Sequence, residues 1–238
     1  MSAVYYERLE QGRGPRPSAG VLSAIAQALR LSPGERLHLY LLAGQASPAV
    51  PGNDQRADPG LAYVLQAVEA TTPAFISDDL GNVLAQNWLN IELFGQFAGL
   101  PGHGPNLIWR WFTSPQWRRR IEPASQHDAT GQAYVADLRV ASARRGPDRA
   151  ATALVSDLQQ ASPEFARRWE QHDVSTTLHC STKVVHDPRV GRVDLDCAVL
   201  TSPHCAQRLL LLHPAPGTSS RDRLTQLATR RYATAGAE

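Results

Sequence analysis

Beyond residue 58 the apolar pattern changes period twice, and this limits the possible folds more than any other feature of the sequence. Ala74-Phe75-Ile76 and Val83-Leu84-Ala85 are two short β-runs flanking the turn residues Asp78-Asp79-Leu80-Gly81-Asn82. From Pro105 to His172 the signals are helical, with starts at Ser114-Pro115, Pro147-Asp148 and Ser162-Pro163. After Val174 a period of two takes over: Val193, Leu195, Cys197 and Val199 alternate with Arg192, Asp194, Asp196 and Ala198, a strand with one wet face. Leu209 to Leu212 is apolar without a break, as in a central strand. Strands at both ends of a helical middle close into one sheet. The expected fold is therefore α+β, an antiparallel sheet with helices over one face and a pocket between the layers. Asp58-Pro59 opens a helix that Pro73 stops, Asn87 caps a helix through Phe94, and a last helix starts at Ser219.

The first 45 residues follow a different plan. A helix through Tyr5, Tyr6, Leu9 and Glu10, capped by Ser2, stops at Gly12-Arg13-Gly14-Pro15. Ser18 starts a second helix with Val21, Leu22, Ile25, Ala26 and Leu29 on one stripe, and Ser32-Pro33-Gly34-Glu35 has the form of a capping box for a third, which ends at Gly44. Residues 46–57 are rich in Pro, Gly and small polar residues, as linkers are. These signals predict a helical domain over 1–45, a linker over 46–57 and an α+β domain over 58–238. Five arginines against three acids place the whole formal charge of +2 in the first 45 residues, a mild signature of a segment that meets nucleic acid.

Several function classes are disfavoured. No run approaches the roughly 18 apolar residues of a membrane span, and the start carries acids and arginines instead of an export signal, so a cytoplasmic protein is expected. Cys180, Cys197 and Cys205 are too few for a disulfide scaffold and are expected as thiols. With His179 and His204 they match no zinc spacing, so no metal is expected. His172-Asp173 are adjacent and diverge, so they form no proton relay; no catalytic residue or cofactor is assigned, and an enzyme is not expected. Lys183 is the only lysine among 24 bases, which reads as a GC-rich codon bias.

The segment YYERLEQGRGPRPSAGVLSAIAQALRLSPGERLHLYLLAG resembles the end of the lambda-repressor-like, or xenobiotic-response-element, helix-turn-helix domain, in the branch of MmyB-like regulators. The second half is similar to that branch's sensor at Pro73-Ala74-Phe75-Ile76, Ala85-Gln86-Asn87, Asn106-Leu107, Asp137-Leu138-Arg139, SPEFARRWEQHDV (162–174) and Val185-His186-Asp187-Pro188-Arg189-Val190-Gly191. The resemblance implies a ligand-responsive, DNA-binding transcription regulator, a homodimer, with a PAS-like domain for small apolar or fatty-acid-like effectors. Members carry further helices before the Ser-x-x-Tyr-Tyr segment. Here the sequence starts there, which points to a misread start codon, a cloning choice or a truncation and to an alternative: a ligand-binding or interaction module that has lost DNA binding.

On that resemblance Ser2 to Gln11 is the recognition helix. Ser2 and Tyr5 face bases, Arg8 and Arg13 contact phosphate, and Tyr6 and Leu9 belong to the core. For the sensor, a carboxylate head needs a donor at the mouth of an apolar tunnel. Arg139 is the first candidate and Asn87 the second, with Trp88, Phe94, Trp109, Phe165 and Trp169 as lining and His172 nearby.

Overall fold

The computed structural model describes residues 3–13, 16–45, 56–171, 182–203 and 205–235. The chain divides into two compact units, Met1–Pro51 and Gly52–Glu238. The first contains helices α1 (Ala3–Glu10), α2 (Ala19–Ala28) and α3 (Pro33–Leu42). Ser18 caps α2 by accepting from the Val21 N–H at 3.4 Å. Ser32 and Glu35 complete the capping box of α3, the Ser32 N–H donating to the Glu35 carboxylate at 2.8 Å. Tyr40 of α3 is buried, and its hydroxyl donates to the Ala19 carbonyl at 3.0 Å, tying α3 to the start of α2. Leu22, Ile25 and Ala26 supply the α2 face of this small core, while Leu29, Leu41 and Leu42 are exposed.

The second unit opens with α4 (Pro59–Ala67), whose Asp58 cap accepts from the Leu61 N–H at 3.0 Å. β1 (Ala74–Asp78), β2 (Val83–Gln86) and α5 (Trp88–Phe94) follow; then α6 (Leu107–Thr113), α7 (Pro115–Ile121), α8 (His127–Arg145), α9 (Arg149–Ala161) and α10 (Pro163–Glu170) make the helical middle. β3 (Lys183–Asp187), β4 (Gly191–Thr201), β5 (Gln207–Pro214) and α11 (Ser220–Ala235) complete it.

The five strands form one sheet in the order β2-β1-β5-β4-β3, antiparallel throughout, with Phe75 opposite Leu210 and Cys197 opposite Leu212. β5, the strand of unbroken leucines, is central, as its sequence predicts. The expectation that helices cover one face needs correction. Ala74, Ile76 and Leu209 cluster with Leu61 and Leu65 of α4, so the β1–β5 part of the sheet is covered on both sides. Neighbouring leucines of β5 point to opposite faces, and the run is apolar because each face meets a packed layer.

On the other face Phe75, Val193, Leu195 and Leu212 share a core with Leu89 and Leu93 of α5 and Leu224 and Leu227 of α11. A second core lies among the middle helices, around Trp111, Phe112, Leu138, Leu158 and Phe165. Close approach there depends on Gly131 in α8, where an added Cβ would come within 2.9 Å of the Trp111 ring. Asn106 joins the hairpin to the helices. Fully buried, it caps α6 by accepting from the Trp109 N–H at 2.8 Å and donates to the Leu80 carbonyl at 3.0 Å and to Asn82 Oδ1 at 2.9 Å.

Candidate functional site

Between the sheet and the helices of the second unit lies a cavity of about 310 Å³. The sheet contributes Phe75, Cys197, Val199, Leu210 and Leu212, the inward positions of β1, β4 and β5. Opposite them stand Phe94, Phe97, Leu107, Ile108, Trp117 and Ile121. The wall is braced: Trp117 Nε1 donates to the Phe94 carbonyl at 2.7 Å, and the Phe97 and Trp117 rings meet edge to face with centroids 5.5 Å apart. Gly81 also lines the hole. Its φ of +85° is open to glycine at little cost, and a Cβ there would press within 3.2 Å of Ile108.

The remainder of the wall is polar. Ala129, Thr130, Ala133, Tyr134 and Asp137 of α8 line it, with Gln126 just before that helix, Lys183 from β3 and Arg208 from β5. Lys183 Nζ lies 3.1 Å from Glu122 Oε1, and that carboxylate is fully buried. Glu122 also accepts from Trp111 Nε1 at 3.0 Å and from the Thr130 hydroxyl. Burial works to raise the Glu122 carboxyl, but Lys183 and these donors prevail and hold it below the ordinary carboxylate range. Burial lowers Lys183 against the pull of Glu122. Arg208 and Asp137 form the second pair, at 3.4 Å. The Tyr134 hydroxyl is pushed up by burial and stays a neutral donor and acceptor. Gln126 Oε1 is buried without a hydrogen-bond partner among the described residues.

Of the residues predicted from sequence for ligand contact, Phe94 lines the cavity. The others described are placed elsewhere. Asn87 is spent on structure: its side chain accepts from the Ala74 and Asn90 N–H groups at 3.0 and 3.1 Å and donates to the Thr72 carbonyl at 2.8 Å. Trp88 packs against the sheet core, and Trp109 stacks near His103 with centroids 4.6 Å apart. The Arg139 guanidinium lies over the Trp169 ring at 4.3 Å and donates to the Trp169 carbonyl, and Phe165 stacks on Trp169. Side chains two apart on a helix diverge, so the turn of α8 that points Asp137 into the cavity points Arg139 at α10. His172 lies outside the described residues, as do Asp173, His179, Cys180, His204 and most of the expected linker.

Sequence reading missed Lys183, Arg208, Tyr134, Gln126 and Trp117. One signal was present for Lys183: with Val185 inward in β3, period two also turns Lys183 inward. The thiol expectation is corrected at Cys197, which is disulfide-bonded, while Cys205 is free. No group of three or more His, Cys, Asp or Glu side chains that could hold a metal occurs among the described residues. In the first unit Tyr5, Tyr6 and Leu9 are half-buried and Arg8 and Arg13 are exposed; Ser2 lies outside the described residues.

Comparison with known families gives two matches. A helix-turn-helix domain model matches residues 1–39, and the model of the MmyB-like transcription regulator ligand binding domain matches residues 57–227. No curated protein matches the chain. Among the described residues no helix is long and apolar enough to cross a membrane. The second match covers most of the chain and contains the whole cavity: the chain belongs to the family of MmyB-like transcription regulators, with a helix-turn-helix segment preceding the ligand-binding domain.

Proposed function

We propose that the chain is a DNA-binding regulator controlled by a small apolar or fatty-acid-like molecule in the cavity of its PAS-like second unit, acting as a cytoplasmic homodimer. The apolar hole under the sheet carries this reading. At roughly 30 Å³ for each non-hydrogen atom, as for a water in the liquid, about 310 Å³ accommodates on the order of ten such atoms. The single antiparallel sheet, with its helical middle inserted between β2 and β3, supports the PAS-like assignment. In the first unit the segment 2–11, which contains α1, reads the major groove, Ser2 and Tyr5 serving bases while Arg8 and Arg13 neutralise phosphates.

Mobility shifts of the full chain on the DNA upstream of its own gene, over a salt series, test this. Arg8→Ala combined with Arg13→Ala is expected to weaken binding to all sequences alike and to make the log–log salt slope shallower by about two. A saturating apolar guest is expected to change the affinity about fivefold or more in one direction. Absence of any shift at low salt, also for a chain extended upstream in frame, would favour the module without DNA binding instead.

A further inference from the structure

We infer that the natural effector has an uncharged, hydroxyl-bearing head group, an inference that rests on the cavity being the effector site. The first observation is charge balance. Among the described residues two cations line the hole, and each faces its own carboxylate: Lys183 is 3.1 Å from Glu122, and Arg208 is 3.4 Å from Asp137. Arg110 lies over the Phe97 ring and does not line the hole. A carboxylate brought in would be a third anion among two satisfied pairs. It would have to displace Glu122 or Asp137 from a cation, or stay uncompensated among largely apolar walls. An ammonium head meets the mirror-image problem.

The second observation is independent of charge. Gln126 lines the cavity and its Oε1 is buried with no donor among the described residues, and a buried acceptor left unpaired is costly. An ionised fatty acid has no proton to offer it, whereas an alcohol has one. The Tyr134 phenol, kept neutral by burial, and the Thr130 side chain line the same region as hydroxyl groups able to bind an oxygen head without adding charge. The chemistry selected is a chain or ring of about ten non-hydrogen atoms ending in a hydroxyl.

Isothermal titration of the full chain with 1-decanol, decanoate and methyl nonanoate at about pH 8, where the acid is ionised, tests this with guests of nearly equal size. The expected order is decanol first, tighter than decanoate by at least about tenfold, because only decanoate brings a third anion beside the Lys183–Glu122 and Arg208–Asp137 pairs. Methyl nonanoate, uncharged but without a donor, is expected between them. Gln126→Met is expected to weaken decanol about two- to tenfold and leave the ester unchanged. Asp137→Asn, which leaves Arg208 a cation in excess, is expected to move the preference toward decanoate by about tenfold. If wild type bound decanoate as tightly as decanol, or tighter, the inference would be overturned while the cavity remained the effector site. If none of the three bound, the effector-site reading itself would fall.

Discussion

Glu122→Leu is expected to destabilise the ligand-binding unit by about 3–5 kcal/mol, because it takes the carboxylate away from the buried Lys183 ammonium and from the Trp111 N–H. Lys183→Met alone is expected to cost a similar amount, since it removes the cation from beside the buried Glu122 carboxylate and leaves it Trp111 and Thr130 as donors among the described residues. The double variant is expected to recover most of the loss, because apolar groups of similar volume replace a pair that had to be desolvated. Urea unfolding of the four proteins reads the cycle, and simple additivity of the two losses would show that the pair is not coupled. Acid sensitivity has a definite sign. Glu122 is held below the ordinary carboxylate range, so its contribution is present above the unfolded value of about 4.3 and is lost as the pH falls through the folded value. Glu122→Leu is expected to flatten that acid limb.

Asn106→Ala is expected to cost about 3 kcal/mol. It removes three hydrogen bonds of roughly 1 kcal/mol net each and leaves the buried Leu80 carbonyl and the half-buried Asn82 Oδ1 and Trp109 N–H with fewer partners. The side chain fastens the β1–β2 turn to the first turn of α6, both of which border the cavity. Loss of guest affinity is therefore expected along with the fall in the urea midpoint. Asn106→Asp keeps the cap on Trp109 but turns a carboxylate oxygen toward the Leu80 carbonyl and Asn82 Oδ1 at a fully buried position, and is expected to cost at least as much. A midpoint within about 0.5 kcal/mol of wild type for Asn106→Ala would contradict this assignment.

What was legible in the sequence was local. Ser18, Ser32 with Glu35, Asp58, Asn87 and Ser162 announce helix starts, and each caps the helix it precedes, because a cap is decided within four residues. The inward set Val193, Leu195, Cys197 and Val199 was legible for the same reason, since a strand's two faces alternate strictly. The cavity wall was not. Which residues of α8 face it depends on a helix wedged between the sheet and a second core, with Thr130, Gly131, Ala133, Val135, Ala136 and Leu138 all buried. Such a helix shows no single apolar stripe. Arg139 attracted attention as an arginine suited to a carboxylate, yet its rotation on α8 takes it to Trp169. Lys183 was passed over as codon bias although its place in β3 turns it inward. Asn87 was legible as a cap, and the cap already accounts for its hydrogen bonds.

Ala133, buried in α8 against the hole, offers the most direct test of whether the cavity is where this regulator takes its effector. Native mass spectrometry of the full chain with 1-decanol, decanoate and methyl nonanoate should show one guest per chain for wild type, and none for Ala133→Trp, whose indole occupies the space, with the urea midpoint preserved. Equal retention of the same guests by both proteins would place binding outside the cavity and contradict the account.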